Sequence, residues 1–224
     1  MKRIVKNQEP RSLVEHRANG GTYDNLQKDD VRTSLLTEQG HICCYCNKRI
    51  PERLKQEQIN RNYPSTKIEH VKCQTQNREL ELTYSNMLLA CNGNHGFPEK
   101  IQTCDTSKGE QDLSFNPSDP NRDIETLIRY RANGEVFSDD EIIDNELNSV
   151  LNLNIKDLTD IRAEYYKSIQ DSIIQEGKKR KSRNIQKSFF ENEKAKLLSQ
   201  SNGKFGQYCM VGVYIINKKL NKLN

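Results

Sequence analysis

The residues of this chain that could do chemistry concentrate between positions 43 and 108. The stretch holds Cys43-Cys44-Tyr45-Cys46, then Glu69-His70, Asn86, Cys91 and finally Cys104-Asp105-Thr106-Ser107-Lys108. Two cysteines spaced C-x-x-C can face one tetrahedral ion from a tight turn, and Cys91 and Cys104 can complete a four-thiolate zinc site. His95 is a rival for the fourth place, but it sits in a loop of Gly, Asn and Pro, so Cys104 is preferred. Cys44 cannot easily share an ion with its neighbours and reads as packing. Glu69, His70 and Asp105 are hard oxygen and imidazole groups, suited to Mg²⁺ or Mn²⁺ and to proton abstraction. The pattern predicts a structural zinc site supporting a separate catalytic metal site.

The elements that must position these groups are drawn from 224 residues, enough for one large domain or a small one with an appendage. Charged residues make up 29% and hydrophobic residues 33%, which points to exposed polar helices or a partner. A net charge of +4 is compatible with nucleic acid without arguing for it. Seven cysteines, an odd and clustered set beside histidine, fit metal binding in a reducing compartment better than a disulfide framework. The first residues carry charge with no apolar run behind them, and no stretch approaches a membrane span, so a soluble, cytoplasmic protein is expected.

Residues 1–30 are polar and contain Pro10 and Gly20-Gly21, which predicts an extended or partly helical arm outside the core. Val31, Leu35 and Leu36 predict a helix stopped at Gln39-Gly40. The charged segment 51–65 reads as an inserted exposed helix or loop. Residues 67–71 alternate as a strand, with Glu69 and His70 on opposite faces. Residues 82–89 lead past Asn86 to Cys91, and 92–96 form a loop. Asn133-Gly134 predicts a hairpin turn within 130–137. Ser138-Asp139-Asp140-Glu141 has capping-box spacing. A helical stripe follows at Leu158, Ile161, Tyr165, Ile169 and Ile173, interrupted at Gly177. A second helix would carry Ile185, Phe189 and Leu197, and a third, from about Gln207, Tyr208, Val211 and Ile215.

A strand bearing Glu69-His70, followed by Asn86 and then Cys104-Asp105 and Lys108, resembles the HNH nuclease motif with its zinc-supported ββα-metal hairpin. The resemblance implies that His70 activates water as general base. It further implies that Glu69 and Asp105 bind the catalytic Mg²⁺ or Mn²⁺, that Asn86 holds the histidine-bearing loop, and that Lys108 contacts phosphate. Two departures stand out: the third position of the motif is Asp105 rather than His or Asn, and Cys73 replaces a common Pro after the histidine. The resemblance narrows with Met1-Lys2-Arg3-Ile4, Gln39-Gly40-His41-Ile42-Cys43-Cys44-Tyr45-Cys46, Cys91-Asn92-Gly93-Asn94, Thr103-Cys104-Asp105-Thr106-Ser107-Lys108-Gly109 and Leu151-Asn152-Leu153-Asn154. Together these are similar to the PtuB family, the HNH subunit of Septu anti-phage systems, also found beside some retron reverse transcriptases.

The fold class expected is therefore α+β: an N-terminal arm and zinc-stabilised HNH (ββα-metal) domain over 1–137, then an α-helical region over 138–224 suited to docking a partner. The resemblance implies a PtuA-like ATPase of the ABC/SMC type as partner and, in retron settings, a reverse transcriptase with its RNA–DNA product. No G-x-x-x-x-G-K phosphate loop occurs here, so nucleotide sensing is assigned to another chain. The run Lys178-Lys179-Arg180-Lys181-Ser182-Arg183 offers Lys178, Lys179, Arg180, Lys181 and Arg183 to a phosphate backbone, with a solvated helix end as the rival reading. DNA is the expected substrate. RNA such as tRNA, in a toxic retron-type system, and a noncatalytic zinc module that binds nucleic acid or protein are the two alternatives.

Overall fold

A handful of apolar residues set among charges decides how the chain begins. In the computed structural model, which describes residues 1–51 and 66–223, Met1, Ile4, Leu13 and Leu26 are all buried. The first thirty residues are partly helical, as expected, but four of them anchor the segment in the core rather than leaving it as an arm outside. The reason is that the charges between them are tied at its edge. Lys6 pairs with Glu38 at 2.9 Å, and Arg17 grips Glu9. Helix α1 (Arg11–Ala18) seals Leu13, and α2 (Asp29–Glu38) seals Val31 and Leu35. Asp29 and Asp30 favour the start of α2 through its dipole, and the helix stops at Gln39-Gly40 as the sequence predicts. The segment expected as an exposed insertion, 51–65, lies outside the described residues apart from Pro51.

Strand β1 (Thr66–His70) pairs antiparallel with β2 (Met87–Cys91), setting Glu69 opposite Leu88 and His70 opposite Met87. A lone two-stranded hairpin is marginal in water. Here Met87, Leu88 and Leu89 are fully buried, each contributing about 1.5–3 kcal/mol. The short helix α3 (Cys104–Lys108) packs against β2, giving a strand–strand–helix unit.

Beyond it come α4 (Ile124–Leu127) and a second hairpin, β3 (Arg129–Tyr130) with β4 (Val136–Phe137), closed by the expected Asn133-Gly134 turn. Helix α5 (Glu141–Asn145) is capped by Asp140, whose carboxylate accepts from the Ile142 and Ile143 amides. Ser138, expected to open the helix, lies two residues before this cap, its hydroxyl accepting the Asp140 amide. A π-turn, Glu146–Val150, then buries Leu147 and Val150.

Helix α6 (Lys156–Ile169) runs on through a π-turn (Gln170–Ile174) to Lys178. The helix ends one residue past Gly177, close to the expected interruption. A Cβ there would lie 2.2 Å from Cζ of Phe190, so glycine serves the close approach of α7 (Arg183–Leu198). The stripe also shifts: Leu158 and Ile169 are buried, but Ile161 is 40% exposed and Arg162 is buried in its place. Arg162 can be buried because Gly134 O, Leu153 O and Asn154 Oδ1 accept its protons. On α7, Phe190 rather than Ile185 faces inward.

Helix α8 (Cys209–Leu223) buries Val211 and Ile215 and packs on α6, α7 and β3. Just before it, Phe205 and Tyr208 donate their amides to Gly40 O and Asn47 O. The helical region thus closes over the cysteine turn, and the core is continuous across residue 137. No helix among the described residues is long and apolar enough to cross a membrane.

Candidate metal centre

Four cysteines converge because three separate backbone devices aim them. The turn 43–47 is closed by the Asn47 amide on Cys43 O, with Asn47 at φ 59°, which turns Cys43 and Cys46 the same way. Cys91 ends β2. Cys104 opens α3 at φ 56°, a costly conformation for a non-glycine residue, of order 1–3 kcal/mol. Its amide is held by Leu151 O at 2.8 Å, and Asn152 donates to Gln102 O, so the Leu151-Asn152 pair clamps the ligand loop. Gly93 is required beside it. At φ 56° it lets Thr103 O approach to within 2.1 Å of where a Cβ would stand.

The thiols of Cys43 and Cys104, Cys46 and Cys91, and Cys91 and Cys104 are each 3.8 Å apart. A zinc–sulfur bond of about 2.3 Å gives a tetrahedral edge of about 3.8 Å. All four sulfurs are buried and lie within 4.8 Å of one another, so the cluster can hold a zinc ion. Burial alone would raise the Cys43 thiol, but hydrogen bonds from Cys104, Cys44, Cys46 and Cys91 pull it well below its ordinary range. Cys104, not His95, is the fourth member. Cys44 is buried beside it, its thiol pushed well up by burial and then by Cys43.

The cysteine turn is joined to a second set of groups through its own residues. Tyr45, between two ligands, donates its hydroxyl to Glu69 Oε1 at 2.6 Å. Lys108 Nζ lies 3.0 Å from the same oxygen and donates to His70 O at 2.8 Å. Glu69 Oε2 is buried and takes no donor. Beside it stands Asp105, the residue after Cys104, which also pairs with Lys67 at 3.4 Å. Burial, then Asp105, pushes the Glu69 carboxyl well above its ordinary range, only partly offset by Lys108 and Tyr45. A buried carboxyl beside a half-buried one is eased by a shared proton or by cations, here Lys108 on Glu69 and Lys67 on Asp105, and oxygen ligands of this kind suit a hard divalent ion.

His70, on the neighbouring position of β1, turns its Nε2 to Glu81 O at 2.9 Å. A carbonyl only accepts, so Nε2 carries the proton and the neutral ring keeps its lone pair on Nδ1. Burial lowers the His70 pKa, favouring that neutral form. Tyr23 packs edge-on against the ring at 4.6 Å. Asn86 holds the following loop by exchanging hydrogen bonds with Lys72 N and O, and Asp112 accepts the Cys73 amide at 2.7 Å.

Of these groups His70, Asp105 and Lys108 border a cleft of about 390 Å³, lined also by Tyr23, Arg32, Lys67 and Thr75, while Glu69, fully buried, is not part of its lining. Tyr23 and Arg32 escaped the sequence reading because they lie in a segment whose polarity gave no sign of the cleft. Lys108, expected on the phosphate, is placed differently: its side chain is 1% exposed and its ammonium is committed to Glu69 and His70. Within the basic run, Lys179 and Arg180 are neutralised by Glu176, and none of the run lines this cleft. Comparison with protein-family models and with curated proteins finds no match for this chain.

Proposed function

We propose that this chain is a metal-dependent endonuclease of the HNH type, hydrolysing nucleic-acid phosphodiesters, DNA foremost, as the effector of an anti-phage complex with an ATPase subunit. The observation that carries this reading is Glu69 Oε2, buried without a donor beside Asp105 and one residue from a histidine whose lone pair is on Nδ1. Glu69 and Asp105 would hold Mg²⁺ or Mn²⁺. Such an ion supplies charge stabilisation at the scissile phosphate and the departing oxygen.

The chain's own residues do the rest. His70 Nδ1 takes the proton from the attacking water, and Nε2–H on Glu81 O steadies the imidazolium that results. Lys108 and Tyr45 occupy the other oxygen of Glu69, which leaves Oε2 as the ligand atom and fixes its direction. Asn86 keeps the loop after His70 in register. The zinc-bound Cys104 sets where Asp105 stands. Lys108 acts here as a positioning residue, and Arg32, on the cleft wall and 3.9 Å from the exposed Asp29, is the cation assigned to phosphate.

The test is cleavage of plasmid DNA and of total RNA, side by side, with Mg²⁺ or Mn²⁺, with and without an ATPase of the ABC/SMC type as partner. Cleavage should need the divalent ion and fall about 10²–10⁴-fold in His70→Ala. A folded, zinc-loaded chain that cleaves neither polymer under any of these conditions would favour the noncatalytic zinc module.

A further inference from the structure

The last turns of α8 carry Lys218, Lys219 and Lys222, and Lys218 and Lys222, four apart, share one side of the helix. Arg183 fixes that end in place by donating Nε to Leu223 O at 2.6 Å, which brings the start of α7 against it. Lys178, at the end of the run through α6, is close enough to depress the Lys219 pKa together with Lys222 and Lys218, after the larger effect of burial. Two segments forty residues apart therefore meet as one cationic face.

Among the described residues none of Lys178, Lys218, Lys219 and Lys222 has a carboxylate within 4.0 Å. Their neighbours differ: Lys167 is paired with Asp171, and Lys179 with Glu176. Like charges four apart on a helix cost a few tenths of a kcal/mol, so an unneutralised cluster of this kind is poised for an anion. The cluster also has a shape. A groove of about 120 Å³ runs between α6 and α8, lined by Tyr166, Gln170, Ile215, Lys218, Lys219 and Lys222. An aromatic ring and an amide beside the ammonium groups are what a base needs once its phosphates are held.

We propose that this face of α6 and α8 binds a nucleic-acid strand, with Lys178, Lys218, Lys219 and Lys222 on successive phosphates and Tyr166 beneath a base. It deepens the reading above, on which nucleic acid is the substrate, by naming where the strand is gripped outside the cleft.

The experiment is fluorescence anisotropy with a labelled 20-nucleotide single strand, as DNA and as RNA, in the His70→Ala background without added divalent ion. Salt runs from 50 to 200 mM. Replacing Lys218, Lys219 and Lys222 by Gln removes three contacts. At about 0.7 per phosphate on a single strand, the slope of log K against log salt falls by about 2, and affinity at 0.1 M salt by up to about 100-fold. The Arg triple variant keeps both, and the single Lys222→Gln change lowers the slope by about 0.7. Unchanged affinity and slope in the Gln variants overturn the proposal, as does wild-type binding of poly-glutamate as tight as that of the strand. His70-dependent cleavage with patch-independent binding sinks the proposal alone. Patch-dependent binding without cleavage sinks the nuclease reading alone.

Discussion

Replacing Lys108 by Met tests whether the buried ammonium organises the site. The substitution keeps the stem's volume and removes a charge 3.0 Å from Glu69 Oε1, where the two side chains are 1% and 0% exposed. At that distance the Coulomb attraction is about 5–6 kcal/mol with an effective dielectric near 20. Part of it is offset by desolvation and by the protonated form that burial and then Asp105 favour at Glu69, so breaking the pair from one side should cost about 3–5 kcal/mol. His70 O also loses its donor. Urea unfolding of zinc-loaded protein, followed by circular dichroism, should show that loss, with a melting temperature lower by roughly 10 °C. Adding Glu69→Gln removes the stranded carboxyl, so the double variant should recover much of the loss. Lys178→Met, on an exposed residue, should change stability by less than about 0.5 kcal/mol. A loss under about 1 kcal/mol for Lys108→Met, equal with and without Glu69→Gln, would refute a buried pair.

Cys46→Ser should release zinc and collapse the cooperative thermal transition, because structural metal binding is folding free energy. A zinc-free variant with an unchanged melting temperature would contradict that. Gly93→Ala should cost about 2–4 kcal/mol, combining strain at positive φ with a contact on Thr103 O, and should weaken zinc retention against a chelator. Equal zinc retention would remove Gly93 from the ligand loop's support. At Asp112, burial raises the carboxyl, but the Cys73 amide, Lys72 and Asn77 outweigh it and hold it below its ordinary 3.8. Its stabilisation is present above pH 3.8 and is lost as pH falls through the lower folded value. Asp112→Asn should therefore flatten the acid limb of stability below pH 4, and a parallel limb would show that the loop after His70 is not held this way.

The four-cysteine cluster was legible in the sequence because a tetrahedral ion tolerates few spacings, and the loop composition around His95 favoured Cys104 over it. The strand bearing Glu69 and His70 and the Asn133-Gly134 turn were legible because period and turn chemistry are local. What was not legible depends on distant partners. Met1, Ile4 and Leu13 enter the core at single points that no periodicity marks. Lys108 reads as a free cation until Glu69 is seen beneath it. Gly177 marks the helix end in the sequence, but its close approach to Phe190 does not show there. Arg32 reaches the cleft through the packing of α2 on β2, Tyr23 through its ring contact with His70, and Lys218, Lys219 and Lys222 meet Lys178 because the end of α8 is tied to α7.

The most direct measurement pairs zinc content with cleavage in the same preparations of wild type and His70→Ala. The account predicts equal zinc in both, at one ion per chain, and divalent-dependent cleavage in the wild type alone. Cleavage that survives the loss of His70 at full zinc content would contradict it.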